Sequence, residues 1–521
     1  MIKTLKNLSL FPDKIDLKSW LISFLIINFC FLYHSLNFMW GNHDVKFIKE
    51  ELLLTSGLFE GRFTQFIPYT LLTNGQILPV LNNLIGFFFL TLALWLLAKY
   101  WKIKKSLLNY TLFITFFATL PYTLSWLYFT FITISCLLWA FIAILGLYFS
   151  AQIYQSPNKL ALSSVSILCF YVTLGGYPPI INTFLVCLAA KIVFSYVFEN
   201  KTLKELLIIH KYTLLNILIA AVFFKTTLHF LPHDEVYNLE TTPLSALPAK
   251  FITTLKIAFS QFYITTPFMP RGYKLLLLTL CILAFLGALI KTDGYTRKLI
   301  TLVLLIGTIW TTSLTTFLVV PHTEFVSRID FYGFAFLYAF ALGLLLSFEL
   351  PLAQSIALIL APILIFQNII NDYRALKSWQ QGFEAEFQIL DRIIERVENH
   401  PNFTPSRQYR FYQIGDISLR PAYHQTRYDK DDVFLISLPY LAMWQGENLM
   451  EFYSPFAYIN HQTPLLTTDI TPEVYDFFIH KAAPFPHKNA VFINNDIIVV
   501  IYDQTGLDDF RQKIKQLYPE I

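Results

Sequence analysis

Cysteine is scarce in this 521-residue chain, and all five of its cysteines, Cys30, Cys136, Cys169, Cys187 and Cys281, fall inside long apolar runs. That placement excludes a disulfide framework or a zinc site built from them. The polar stretch after residue 370 has no cysteine, which suits a bacterial periplasm and equally a cytosol. Charge is scarce too. Asp, Glu, Lys and Arg make up 14% of the residues while apolar types make up 55%, and the mean hydropathy is positive, a balance that soluble globular chains do not show. The formal charge of +4 is a sum over loops and gives no argument for nucleic acid as a partner. A small-x-small cleavage site is missing after the basic leader of Lys3, Lys6, Lys14 and Lys18, so the first apolar run is expected to be an uncleaved signal anchor.

What is present is a series of apolar segments, each close to the ~20 residues that cross a bilayer as helix. About eleven are expected, at 20–40, 78–100, 107–125, 128–150, 160–175, 180–198, 213–231, 274–291, 299–320, 331–348 and 352–370. Basic residues gather in the leader and in 99–105, 201–211 and 291–298, which the positive-inside rule assigns to the cytoplasm. The loops 41–77, 232–273 and 321–330 then face outward, and an odd number of spans carries the C-terminus outward as well. The expected fold class is an α-helical polytopic membrane domain over 1–370, followed by a soluble α/β domain over 371–521. In the latter, Trp379, Phe383, Phe387, Leu390, Ile394 and Val397 recur at helical spacing. Strands are expected at 409–414, 433–438 and 491–502, the last folded back at Asn494-Asn495, and a final helix at 507–517. This domain holds no Gly-rich phosphate loop, nucleophile elbow or metal-ligand spacing.

Polar chemistry concentrates in the outward loops. In the first, Val45, Ile48, Leu52 and Phe59 form one face and Lys46, Lys49 and Glu50 the other, the pattern of a helix lying in the interface plane. Asp44 stands at its start, where it serves as an N-cap worth about 1 kcal/mol or as a catalytic carboxylate. A second short piece after Gly61-Arg62 is expected to place Phe63, Phe66, Ile67 and Leu71 on one face. At Gly175-Gly176-Tyr177-Pro178-Pro179 a helix must end, either in a tight turn or in a segment lining a substrate path. Lys191 and Lys225 lie within spans, Lys225 in the outward third of its helix, placed to snorkel to the interface or to meet a phosphate.

The stretch Asp44, Gly61-Arg62-Phe63, Ile77-Leu78-Pro79-Val80-Leu81-Asn82-Asn83-Leu84-Ile85-Gly86 and Leu120-Pro121-Tyr122-Thr123-Leu124-Ser125-Trp126 resembles the bacterial O-antigen-modifying, serotype-converting glucosyltransferases of the GT-C superfamily. Residues 175–179 and 328–330 look similar as well. The resemblance covers about 20–370 and is strongest in 41–126. It implies an inverting transferase of the inner membrane, with a cytoplasmic N-terminus and a periplasmic C-terminal domain. The enzyme would take a sugar, glucose in the named family, from a polyprenyl phosphate and attach it to a hydroxyl of a cell-envelope glycan such as O-antigen. A polyprenyl-phosphate sugar synthase and a flippase would supply the donor, and membrane lipid surrounds the enzyme. In such enzymes an acid of the first outward loop is the base, and Asp44 matches that position. Many relatives carry two adjacent acids there where this chain has His43-Asp44, which makes His43 a second candidate and Glu60 the next.

The chemistry agrees with that assignment independently. A carboxylate within hydrogen-bond reach activates an alcohol as it attacks the anomeric carbon, and a phosphate leaving as an anion needs cations around it rather than a proton. Arg62, Arg328, Arg271, Lys274 and Lys225 are the candidates for that electrostatic role, with lipid-headgroup contacts as the alternative use of each. No cofactor is required. A divalent ion is the alternative if Pro232-His233-Asp234-Glu235 and Pro321-His322-Thr323-Glu324 join His43-Asp44. Two other classes compete with a transferase: a lipid-linked-glycan flippase, for which inverted repeats and midplane charges are expected but not evident, and a non-catalytic envelope assembly protein.

Overall fold

The computed structural model describes residues 12–37, 57–58, 61–127, 129–231, 244–264, 269–314, 331–415, 459–462 and 470–517. These fall into two compact units, residues 12–373 and 374–517. The described residues are mostly helical, 78%, and among them seven helices are long and apolar enough to cross a bilayer, an architecture compatible with a polytopic membrane protein.

Local chemistry sets the helix boundaries of the first unit. Asp13 caps α1 (Lys14–Cys30) by accepting from the Ile15 and Asp16 amides at 2.9 and 3.0 Å, and Asp16 answers by accepting from the Asp13 amide at 3.1 Å. This reciprocal capping box starts the helix ahead of the expected residue 20. α2 (Pro79–Trp101) opens on a proline, whose missing N–H is harmless in a first turn, and stops at Lys102 in the left-handed region with φ 60°. Ser106 caps α3 (Leu107–Ala118), which is followed by α4 (Pro121–Leu127) at a bend of 55°. The segment expected as one span is therefore broken where Pro121 lacks a backbone donor. Then come α5 (Thr133–Gln152), α6 (Lys159–Gly176), α7 (Ile181–Phe198), α8 (Leu203–Phe230), α9 (Arg271–Lys291), α10 (Tyr295–Thr311), α11 (Phe336–Ser347) and α12 (Pro351–Glu398).

Helices occur at every expected apolar segment among the described residues, but α1, α10 and the run Phe331–Ser347 stay short of the ~20 residues that cross a bilayer. The outward loop expected over 232–273 contains a helix, Leu247–Ser260, hidden in the sequence because Lys250 and Lys256 interrupt its apolar run. In the first outward loop, helix Ile67–Thr73 buries Tyr69 and Thr73 behind Phe66, while Leu71 is 77% exposed. Of the face expected there, Phe66 is buried and Phe63 and Ile67 are half-buried, and only Leu71 points outward.

α5 lies between α2 and α6, α6 also packs on α8, α1 on α3, α7 on α10, and α9 on α11. The most apolar windows of spans Thr133–Gln155 and Pro178–Phe198 are 72% and 78% buried within the protein, against 33% for Leu203–Phe230 and 22% for Pro351–Lys377. The peripheral helices consequently present Leu214, Leu218, Phe223, Ile359 and Phe366 to the surroundings. Such faces suit hydrocarbon rather than water.

The second unit is built on a four-stranded sheet in the order β2-β1-β4-β3, from β1 (Tyr409–Ile414), β2 (Ile459–Gln462), β3 (Val491–Asn494) and β4 (Ile497–Ile501). β1 is parallel to β2 and β4, while β3 and β4 form an antiparallel hairpin with Asn495 at φ 52°. Period-two alternation divides the strands between two cores. Phe411, Ile498 and Val500 join Leu390, Ile394 and Val397 on one face; Ile414, Val499 and Ile501 join Val474, Phe478 and Leu507 on the other. The segment 433–438 lies outside the described residues.

One end of the first unit is tied by charge. Asp16, 1% exposed, faces Lys105 Nζ at 3.0 Å and Lys99 Nζ at 3.6 Å, so the loop after α2 is fastened to the start of α1. Removing one partner of a fully buried pair costs about 3–5 kcal/mol, and less where a partner such as Lys105 is 37% exposed. Asp16→Asn is expected to lower the thermal unfolding midpoint of the detergent-solubilised protein more than Lys105→Gln does, since Lys99 then keeps an ammonium without its carboxylate. A larger loss in Lys105→Gln would contradict this ranking.

Candidate functional site

Three segments singled out in the sequence converge at one end of the first unit. The first is the turn at Gly61. Its backbone closes through Gly61 N to Leu58 O at 2.9 Å and Arg62 N to Gly57 O at 2.8 Å, with Gly61 at φ 68°. A side chain there would meet Leu228 of α8 at 2.7 Å as well as the unfavourable φ. The second is the end of α6. Thr64 joins it to the first turn, donating its amide to Gly175 O at 3.0 Å and its hydroxyl to Val172 O at 2.6 Å. The Gly175 carbonyl, one of those that α6 leaves open at its C-terminus, is thereby satisfied by the earlier segment.

The two glycines of this second segment are required by close approach. A Cβ on Gly175 would lie 2.5 Å from the Phe63 ring, and one on Gly176 would lie 2.2 Å from the Trp139 indole nitrogen. Phe63 is itself held against Tyr171 and Phe224, with ring centroids 5.4 and 6.1 Å away. Tyr177 then turns out of the helix in extended conformation, and Pro178–Ile180 leads directly into α7. The break is thus a tight turn.

The third segment is α4. Trp126 meets Tyr177 edge-on at 5.3 Å and Tyr332 at 5.5 Å, and Tyr177 and Tyr332 lie 5.6 Å apart. Tyr332 sits in a π-helical turn, Phe331–Ala335, whose backbone carbonyl at Tyr332 accepts from the Thr183 hydroxyl at 3.1 Å. Turns of this type recur at functional sites. Over this aromatic floor stands Arg62, its guanidinium carbon 5.3 Å from the Tyr177 ring centroid, a cation–π geometry. Gln65 fills the space behind. Its carbonyl accepts from Ser135 of α5, and its side chain is buried with neither amide atom hydrogen-bonded among the described residues. The indole N–H of Trp126 and the hydroxyl of Thr123 are likewise buried without a partner there. The arrangement offers a cation, aromatic faces and uncommitted hydrogen-bonding groups, chemistry that matches a phosphorylated, hydroxyl-bearing ligand.

The other expected site residues distribute differently. Arg271 is exposed in the first turn of α9, and Lys274 is buried, donating from Nζ to Gln261 O at 2.8 Å. Beside it the Tyr273 hydroxyl donates to Asn368 of α12. This second polar cluster faces α4 from the other side, through Phe262, Tyr338 and Tyr122, whose successive ring centroids are 6.3 and 6.5 Å apart. Lys225, next to Phe224, is exposed on α8. His43, Asp44, Glu60 and Arg328 lie outside the described residues, as do His233, Asp234, Glu235, His322 and Glu324. Sequence reasoning did not single out Gln65 or Tyr332. Neither carries a spacing signal, although the glycine pair and prolines around Tyr177 marked its partner.

Gly175→Ala is expected to destabilise the solubilised protein by about 1–3 kcal/mol, the usual range for overpacking, because the new methyl collides with Phe63. The double variant Gly175→Ala with Phe63→Leu should lose less than the sum of the single losses in thermal unfolding. Strict additivity would show that the two segments are not in contact.

Comparison of the chain with protein-family models, with curated proteins and with solved structures gives no match.

Proposed function

We propose that the chain is an inverting glycosyltransferase. It moves a sugar, with glucose the first donor to test, from a polyprenyl phosphate to a hydroxyl of a cell-envelope glycan such as O-antigen at the outer face of the bacterial inner membrane. The supporting observation is that segments 61–63, 120–126 and 175–179, on which the family resemblance rests, meet around Arg62 and Tyr177. In the proposed reaction the Asp44 carboxylate takes the proton of the acceptor hydroxyl as its oxygen bonds to the anomeric carbon. The bond to the donor phosphate breaks with its electron pair, and the phosphate departs as an anion. Arg62 is the described cation best placed for that charge, with Arg328, Arg271, Lys274 and Lys225 as further candidates, while His43 and Glu60 are alternative bases. A divalent ion held by His43-Asp44 and the two Pro-His clusters is the competing arrangement, tested by chelation.

The test is transfer of label from radiolabelled polyprenyl-phosphate sugars to isolated envelope glycan by the purified full-length protein. Asp44→Asn is expected to lower turnover roughly 10²–10⁴-fold with expression unchanged. Near wild-type turnover would leave Asp44 as a helix cap. Arg62→Ala and Arg328→Ala should weaken dependence on the donor more than on the acceptor when the two are varied separately. Unchanged donor dependence in both would remove them from the site.

The topology that goes with this reading has eleven spans, a cytoplasmic N-terminus and a periplasmic domain over 371–521 that receives the acceptor. A reporter active only in the periplasm and fused after Ile521 is then expected to be active. A silent periplasmic reporter with an active cytoplasmic one would reverse the parity and withdraw the acceptor role.

A further inference from the structure

At the α7–α8 turn one carboxylate serves three ammonium groups. Glu199 Oε1 meets Lys102 Nζ at 3.0 Å and Lys191 Nζ at 3.2 Å, and Oε2 meets Lys201 Nζ at 3.2 Å. The Ser195 hydroxyl adds a fourth contact at 3.3 Å. Burial disfavours the charged carboxylate, yet the surrounding lysines, Lys191 first, hold its pKa down at about 2. Glu199 is therefore fully committed, and it cannot neutralise all three cations. Arg297 adds a further positive charge, donating to Tyr196 O at 2.9 Å and to Asn200 Oδ1 at 3.3 Å. The other acid nearby in sequence, Glu205, is occupied in capping α8, where it accepts from the Thr202 amide at 2.7 Å. Around Glu199 itself three ammonium groups thus stand against one carboxylate.

The donors are in surplus as well. Each ammonium has three N–H groups, and the only hydrogen-bond acceptor described for Lys102, Lys191 or Lys201 is Glu199. Lys191 is 8% exposed, so water is not its natural partner, and buried His210 lies among the same charges. The N-terminus of α8, the positive end of a 28-residue helix, begins immediately after Lys201. Below this turn α8 exposes a broad apolar surface that includes Leu203, Leu207, Leu214 and Leu218. The spacing places these leucines on one face, so a cationic head site continues into an apolar track.

We infer that the α7–α8 turn binds the phosphodiester of an anionic membrane lipid, with Lys102 and Lys201 holding the phosphate and the exposed leucines of α8 receiving an acyl chain. The exposed leucines beside the cations favour a lipid over free phosphate. The inference stands on this geometry and does not depend on the transferase reading.

The full-length protein, purified in a neutral detergent, is titrated with phosphatidylglycerol, with phosphatidylcholine of the same chains, and with inorganic phosphate. Native mass spectrometry reads lipid occupancy, and thermal unfolding reads stabilisation. Phosphatidylglycerol should bind preferentially and raise the unfolding midpoint. The double variant Lys102→Gln, Lys201→Gln should bind it roughly 10–30-fold more weakly, about the effect of two surface lysines on an anionic lipid, and respond equally to both lipids. Lys204→Gln, an exposed neighbour outside the cluster, is the control for general surface charge and should keep the preference. Equal binding of the two lipids by the unaltered protein, or an undiminished preference in the double variant, would overturn the inference. So would inorganic phosphate that stabilises as well as phosphatidylglycerol and displaces it. Because Glu199 retains Lys191 in the double variant, its unfolding midpoint without lipid separates lost binding from lost folding; a variant that fails to fold is replaced by the single Lys102→Gln, for which a weaker but still selective loss is expected.

Discussion

A hydrocarbon surround supplies no hydrogen bonds, so every interruption of a helix at bilayer depth must find its partners inside the protein. The first unit meets this constraint by pairing its interruptions with one another. The turn at Gly61 closes on its own backbone, and Thr64 just after it donates its amide to the Gly175 carbonyl and its hydroxyl to the Val172 carbonyl near the end of α6. The aromatic floor of Trp126, Tyr177 and Tyr332 forms where these irregular segments meet the bent helix pair and the π-turn. Non-helical backbone and uncommitted polar groups therefore occur in the same place, which is why the site and the departures from regular helix coincide.

Much of the helical scaffold was legible because span-length apolar runs leave few alternatives, and the turn at Gly175-Gly176 was legible because glycine and proline punctuate helices. Strand Tyr409–Ile414 was legible from its alternation. What escaped has identifiable causes. The break before Pro121 was absorbed into a continuous apolar run. Helix Leu247–Ser260 was masked by its lysines, and the π-turn at Phe331–Ala335 has no compositional mark. The placement of Arg62 over Tyr177 joins distant parts of the chain, and no local pattern encodes such a pairing. The same holds for buried Gln65, whose carbonyl meets Ser135 of α5, 70 residues away in sequence.

The lysines used to assign sidedness have a second role in the fold. Lys99 in the last turn of α2 and Lys105 in the loop after it hold Asp16, and Lys102 between them reaches Glu199 at the α7–α8 turn. One short basic loop thus ties α1 to the α7–α8 turn. Positive residues near span ends are commonly attributed to insertion alone; here three of them also fix the packing of helices that are not adjacent in sequence.

Tyr69 has a consequence for the order in which the molecule is made. Its hydroxyl donates to Thr130 O and accepts from the Ile134 amide at 3.3 Å, while Ser135 bonds back to Gln65 O. The opening turn of α5 is therefore closed by residues of an earlier segment rather than by a cap of its own. Synthesis proceeds from the N-terminus, so the closing residues have already emerged when α5 is made. The partners that close the first turn of α5 are thus on the chain before α5 itself, and no later segment is needed to supply them.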